Sequence, residues 1–173
     1  EQAGREVLRF MGSRLREDRR FWLQAVQLDG LSLEFAAPAI QGERELVIAA
    51  AEQAIGALKF ASEELLHDPG VMLGALRKDR EALKFAAEEL LRSADFMLAA
   101  VEEDSGALEY AADALRNDPA FMRAPAVALA QMDRAAALEA VAKDGRQLRG
   151  LREELRADRE VVLAAVRSAG PHA

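Results

Sequence analysis

The chain has no cysteine and no threonine, a single asparagine (Asn117), one tryptophan, one tyrosine and two histidines. Without cysteine there are no disulfides, no thiolate nucleophile and no cysteine-based zinc site. Aromatics make up only 5% of the 173 residues, and the residues that favour strands are scarce. Ala, Leu, Glu and Arg fill their place, and these are helix formers. An all-β or α/β fold is argued against, and an all-α fold is expected. The histidines, His67 and His172, share no metal-ligand spacing with carboxylates and read as incidental surface residues. Glycines sit singly at turns, so no phosphate-cradling loop exists, and no Gly-x-Ser-x-Gly nucleophile turn occurs. No apolar run approaches the ~20 residues of a membrane-spanning helix. The sequence therefore points to no catalytic, cofactor-binding or metal-binding residue. It opens on Glu1 rather than Met, which reads as a processed, excised or partial chain whose targeting segment is out of view.

Apolar residues account for 51% and charged residues for 31%, enough to build a real core. The formal charge is 23 − 30 = −7. So acidic a chain is a poor general binder of nucleic acid or anionic lipid, both of which need a positive field.

The dominant signal is an internal repeat. Phe10, Phe35, Phe60, Phe85 and Tyr110 follow one another at intervals of 25. A leucine-like column runs beside them through Leu15, Ile40, Leu65, Leu90, Leu115 and Leu155. A third column, Asp18, Glu43, Asp68, Ser93, Asp118, Asp133 and Asp158, has spacings of 25, 25, 25, 25, 15 and 25. Such periods mark repeat architectures.

The unit reads as two short helices. The Asp18 column supplies the N-cap of the first, where Asp or Ser accepts from free first-turn N–H groups. Pro69 and Pro119 follow their caps at the first helical position, where a missing N–H costs nothing. Glu43 is a weaker cap by type but suits the positive end of the helix dipole. The first helix is apolar over more than half its circumference and should be the inner one. The second, near residues 58–66 and their equivalents, carries a narrower apolar stripe. Its other face bears Glu63, Glu64, Glu88, Glu89, Asp113, Glu153 and Glu154, a solvated acidic ridge rather than a catalytic carboxylate pair. Neither helix is long enough to be stable alone, so packing between repeats must hold the fold. The expected architecture is one domain over 1–173, an all-α solenoid of tandem ~25-residue two-helix repeats, irregular near 119–133. There the spacing falls to 15, and Pro125 should kink or end a helix. The first helix of that unit is expected to fuse with a shortened second helix near 126–132.

The segments Ala57-Leu58-Lys59-Phe60-Ala61-Ser62-Glu63-Glu64-Leu65 and Asp158-Arg159-Glu160-Val161-Val162-Leu163-Ala164-Ala165-Val166 resemble the helical repeats of the domain of unknown function 4116 family. The resemblance covers most of residues 10–166, with a break near Pro125. It implies a helical-repeat fold, no recognised catalytic residue and no established function.

Arginine is distributed less evenly than acid. Arg14, Arg16, Arg19 and Arg20 flank Phe21-Trp22, and Arg149, Arg152, Arg156 and Arg159 are spaced 3, 4 and 3, as on one helix stripe. Arginine stripes can grip phosphates or acidic protein surfaces. Glu153, Glu154 and Glu160 can neutralise the second group, so ordinary surface charge is the weightier reading. Trp22 occupies a column otherwise held by Val and Met and reads first as core filling, second as an interface anchor. Arg16, Arg19, Arg20, Trp22, Arg149, Arg152, Arg156 and Arg159 are the candidate docking residues. The functional expectation is a non-enzymatic scaffold or protein-docking module, a peripheral accessory subunit whose partners are other protein subunits. Peripheral association with a membrane complex and a plastid or mitochondrial location are compatible with it. Binding of nucleic acid or another anionic ligand through the arginines is the alternative; an enzyme or cofactor carrier is the least supported.

Overall fold

The computed structural model describes residues 6–169, and every element among them is helical, with no strand. The chain divides into two compact units, Glu1–Ala87 and Glu88–Ala173.

The first unit holds 3-10 helices η1 (Val7–Phe10), η2 (Gly30–Phe35), η3 (Ile55–Phe60) and η4 (Arg80–Phe85). Its α-helices are α1 (Ser13–Arg16), α2 (Arg19–Leu28), α3 (Pro38–Gln41), α4 (Arg44–Gln53), α5 (Glu63–Leu66) and α6 (Pro69–Leu76). The period is thus a triplet: a longer α-helix, a 3-10 helix and a single turn of α-helix. The expected second helix is broken in two, because two residues between its halves are extended. Ala36, Ala61 and Ala86 have ψ of 153°, 152° and 143°. The residue after each turns its N–H outward from the helix, to a carbonyl of the preceding triplet. Ala37 donates to Arg16 O at 3.0 Å, Ser62 to Gln41 O at 3.0 Å, and Ala87 to Leu66 O at 3.1 Å. A continuous helix would have used these N–H groups internally. The break converts them into backbone bonds that tie successive triplets.

The cap column behaves as its chemistry dictates. Asp18 Oδ1 accepts from the Arg20 and Phe21 N–H groups, and Asp68 Oδ1 from Gly70 and Val71. Glu43 makes no such bond; its longer side chain turns to Arg19. A second set of caps opens the 3-10 helices: Asp29 accepts from Leu31 N–H at 3.0 Å and Asp79 from Glu81 N–H at 2.9 Å. The longer helices are the inner ones, as their broad apolar faces require. Helix α4 packs on α2 and α6 and on both η2 and η3. Trp22, Leu33, Leu46, Leu58, Met72 and Leu83 are fully buried between them. Each such aliphatic side chain contributes roughly 1.5–3 kcal/mol on leaving water.

The second unit contains α7 (Glu88–Arg92), α8 (Ala94–Glu103), η5 (Ser105–Tyr110), α9 (Asp113–Arg116), α10 (Pro119–Met122), α11 (Pro125–Ala130), α12 (Arg134–Lys143), η6 (Gly145–Gly150), α13 (Glu153–Arg156) and α14 (Arg159–Ser168). Ala112 donates to Leu91 O at 3.0 Å, the same tie as in the first unit. The 15-residue step has a simple basis. Between α11 and α12 lie only residues 131–133, so this triplet lacks its 3-10 helix and its short helix. Pro125 does not sit inside a fused helix, as its spacing suggests. Helix α10 ends at Met122, and Pro125 opens α11 at its first turn, where its missing N–H is harmless. Ala137, Val141, Leu151, Leu155, Val161 and Ala165 form one core cluster of this unit. Two hydroxyls brace it: Ser105 Oγ donates to Leu151 O at 3.1 Å, and Ser168 Oγ to Val141 O at 2.7 Å.

Candidate arginine-lined docking site

The site is built by close packing at a glycine. Gly145 opens η6 so near α14 that a Cβ there would lie 2.3 Å from the Ala165 carbonyl oxygen. Asp144 Oδ1 accepts from the Arg146 N–H at 3.0 Å and fixes the start of η6. These contacts set Arg146 and Arg149 beside Arg156, at the end of α13. Together with Gly145 and Leu148 the three arginines line a recess of about 640 Å³. Arg156 Nε is buried and makes no hydrogen bond. A guanidinium N–H withdrawn from water without an acceptor is costly, whereas Arg146 and Arg149 are exposed, and an anionic group at the recess would meet their charge. A neighbouring recess of about 270 Å³ shares Arg146 and Arg149 but adds Glu102 and Asp144. Acidic groups there bias anion binding towards the first recess.

Four arginines expected on one helix stripe are dispersed over three elements. Arg149 is on η6, Arg152 precedes α13, Arg156 ends α13, and Arg159 opens α14. The break between the two halves of the second helix removes the 3, 4, 3 register. Arg149 and Arg156 meet at the recess; Arg152 lies 4.0 Å from Glu154, and Arg159 is exposed on α14. Spacing along the sequence does not single out Arg146, since it matches no helix stripe. Its place one residue after the glycine is the available signal.

The first unit does not gather its candidates into one site. Arg16 donates to Met11 O at 3.4 Å and Arg9 O at 3.1 Å, holding its own loop. Arg20 is exposed. Trp22 is fully buried, edge-on to Phe21 with ring centroids 5.2 Å apart, and donates Nε1–H to Arg16 O at 2.9 Å. The docking assignment of Trp22 is therefore corrected, because no part of the ring is exposed to meet a partner. His67 Nδ1 lies 2.8 Å from Glu63 O, and His172 falls outside the described residues.

Arg19 belongs to a different pattern, shared with Arg44 and Arg134. Each opens a longer helix and reaches the cap carboxylate that opens the next. Arg19 Nε donates to Glu43 at 2.7 Å, and its guanidinium also bonds Glu45. Arg44 donates to Asp68 Oδ2 at 2.9 Å. Arg134 donates to Asp158 Oδ2 at 2.8 Å and to Glu160 at 2.5 Å. The hydrogen bond from Arg134, then those from the Val161 and Glu160 N–H groups, holds the Asp158 carboxyl below the ordinary carboxylate value. The lowered folded value means this pair contributes fully above the ordinary carboxylate range. Its contribution fades as pH falls through the depressed value. Arg134→Ala is expected to raise the Asp158 pKa towards the ordinary value, read by carboxylate NMR titration. An unchanged titration would show that the two backbone bonds alone depress it.

Among the described residues no helix is long and apolar enough to cross a membrane, and no group of three or more His, Cys, Asp or Glu is placed to hold a metal ion. A protein-family model matches the chain twice, over residues 43–91 and 133–171, and its description is Domain of unknown function (DUF4116). No curated protein and no solved structure matches.

Proposed function

The chain belongs to the DUF4116 family, and from that premise we propose that it is a non-enzymatic solenoid of helical repeats that docks other protein subunits. One contrast carries this reading. Arginines between triplets are neutralised by cap carboxylates, whereas Arg146, Arg149 and Arg156 converge on a recess with no side-chain ion pair among the described residues. An array stabilised by its own periodic contacts leaves its outer surface for recognition. An acidic loop or helix end of a partner supplies the carboxylates that the recess lacks. The test is mass spectrometry of the native protein purified from its source at physiological salt. Other polypeptides in fixed stoichiometry, lost with Arg149→Glu and Arg156→Glu, are expected. Recovery of the chain with no other polypeptide overturns the docking role.

A small anionic ligand is the second reading, favoured by the buried, unpartnered Nε of Arg156. It expects inorganic phosphate to shift the Arg156 Nε–H NMR signal saturably, with no effect in Arg156→Ala. A linear response to phosphate excludes it.

A further inference from the structure

Two departures from the repeat meet at one point inside the second unit. The first is the missing 3-10 helix: η3 packs on η2 and η4 in the first unit, whereas in the second α11 packs on η5 and η6. The second is Gly150, which holds the column of Phe35, Phe60, Phe85 and Tyr110. It carries no ring, and a Cβ there would lie 3.1 Å from Leu129 Cδ1. Helix α11 and η6 thus touch at Gly150. Beside that contact a cleft of about 270 Å³ lies between them and the end of α8.

The lining departs from the repeat as well. Gln147 occupies the column of Ala57, Ala82 and Ala107, which are fully buried. It is half-buried, lines the cleft and makes no side-chain hydrogen bond among the described residues. Arg146 and Arg149 stand on the same element, and Glu102 and Asp144 complete the polar wall. Asp144 Oδ1 accepts from the Arg146 N–H. Among the described residues no side-chain ion pair joins either carboxylate to either guanidinium. The rest of the wall is largely apolar, with Val101, Pro125 and Leu129.

Charge decides what fits. A simple anion meets the arginines but also Glu102 and Asp144. A simple cation meets the carboxylates but also two guanidiniums. A molecule of both signs gains a charge-assisted bond on each side, with no internal pair to break first. The volume lies just below the usual range of ligand pockets, about 300–1,000 Å³, and suits a small molecule with a short hydrocarbon chain. We propose that this cleft binds a free α-amino acid with an aliphatic side chain. Its ammonium is set against Glu102 and Asp144, its carboxylate against Arg146 and Arg149, and its side chain on Val101 and Leu129. This is separate from subunit docking, which rests on the larger recess with Arg156.

Leucine titrated into the isotope-labelled protein tests this, followed by the amide NMR signals of Glu102, Gln147 and Gly150. Saturable shifts are expected. Isocaproate and isoamylamine, which are leucine without its ammonium and without its carboxylate, should each bind about tenfold more weakly. Glu102→Gln, an isosteric change of an exposed side chain, should weaken leucine roughly fivefold and leave isocaproate no weaker. Arg149→Gln should weaken leucine as much and leave isoamylamine no weaker. A variant that merely misfolds would lose all three ligands together. Shifts that stay linear in leucine overturn the proposal, and so do analogues that bind as tightly as leucine. Either outcome leaves docking of other subunits standing, because that reading is judged on the co-purified polypeptides.

Discussion

Gly30→Ala should unfold the first unit at far lower temperature than the wild type, with a loss of about 3 kcal/mol or more. Gly30 opens η2 and is buried against α4. A Cβ at this position would lie 2.2 Å from the Ala50 carbonyl oxygen and 3.1 Å from the Ala54 nitrogen. Both obstacles are backbone, so relief requires moving a helix rather than a rotamer. Its φ is not positive, and the requirement for glycine is one of space alone. Gly145→Ala meets the same obstacle at Ala165 in the second unit and should cost a similar amount there. For units of this size each kcal/mol displaces Tm by roughly 4–8 °C. Gly74→Ala is the control. It lies within α6 with nothing inside 4 Å of the added Cβ, so removing a helical glycine should stabilise by about 0.5–1 kcal/mol. Calorimetry on the three variants decides the matter. Equal Tm values for Gly30→Ala and Gly74→Ala would refute the close approach of η2 to α4.

Trp22→Ala should cost about 3–5 kcal/mol, the range for deleting a buried large aromatic. The indole fills the space between α2 and the loop before it, and its N–H satisfies the Arg16 carbonyl at 2.9 Å. That carbonyl also accepts from Ala37 N–H, so Trp22→Phe leaves it one partner and should cost far less, about 1 kcal/mol for the lost bond plus a small void. As the sole tryptophan, Trp22 reports its own unit. Its emission should be blue-shifted in the native state and move red in the denaturant transition. Emission already red in the native protein would place the ring in water and contradict the packing.

The all-α class and the cap column were legible because they rest on local chemistry. Asp18, Asp68, Asp118 and Asp158 cap helices by side-chain length and position, whatever lies around them. The triplet was not legible. The break inside the second helix falls at Ala36-Ala37, Ala61-Ser62 and Ala86-Ala87, residues with no intrinsic tendency to stop a helix. What stops it is the carbonyl of the preceding triplet, a tertiary acceptor that leaves no mark on composition. The arginines failed for the same reason: a stripe drawn on one helix dissolves once that helix is two. Trp22 was legible through its column, since every equivalent position is apolar and Val47, Met72 and Met97 there are fully buried. Arg146 was not, because its role depends on the glycine that presses η6 against α14.

The 15-residue step between Asp118 and Asp133 also says how such a chain can change length. An added or lost residue inside a helix turns every later side chain by about 100°, and the apolar columns then face water. Removing the 3-10 helix together with the short helix leaves the next cap and its helix intact. Length variation in this sequence is therefore expected in whole elements. A variant lacking residues 54–63 loses η3 and the break after it, and keeps residues 64–67 as the link to the Asp68 cap. It should retain the helical content of its remaining elements, whereas deletion of residue 49 alone should lose it in circular dichroism.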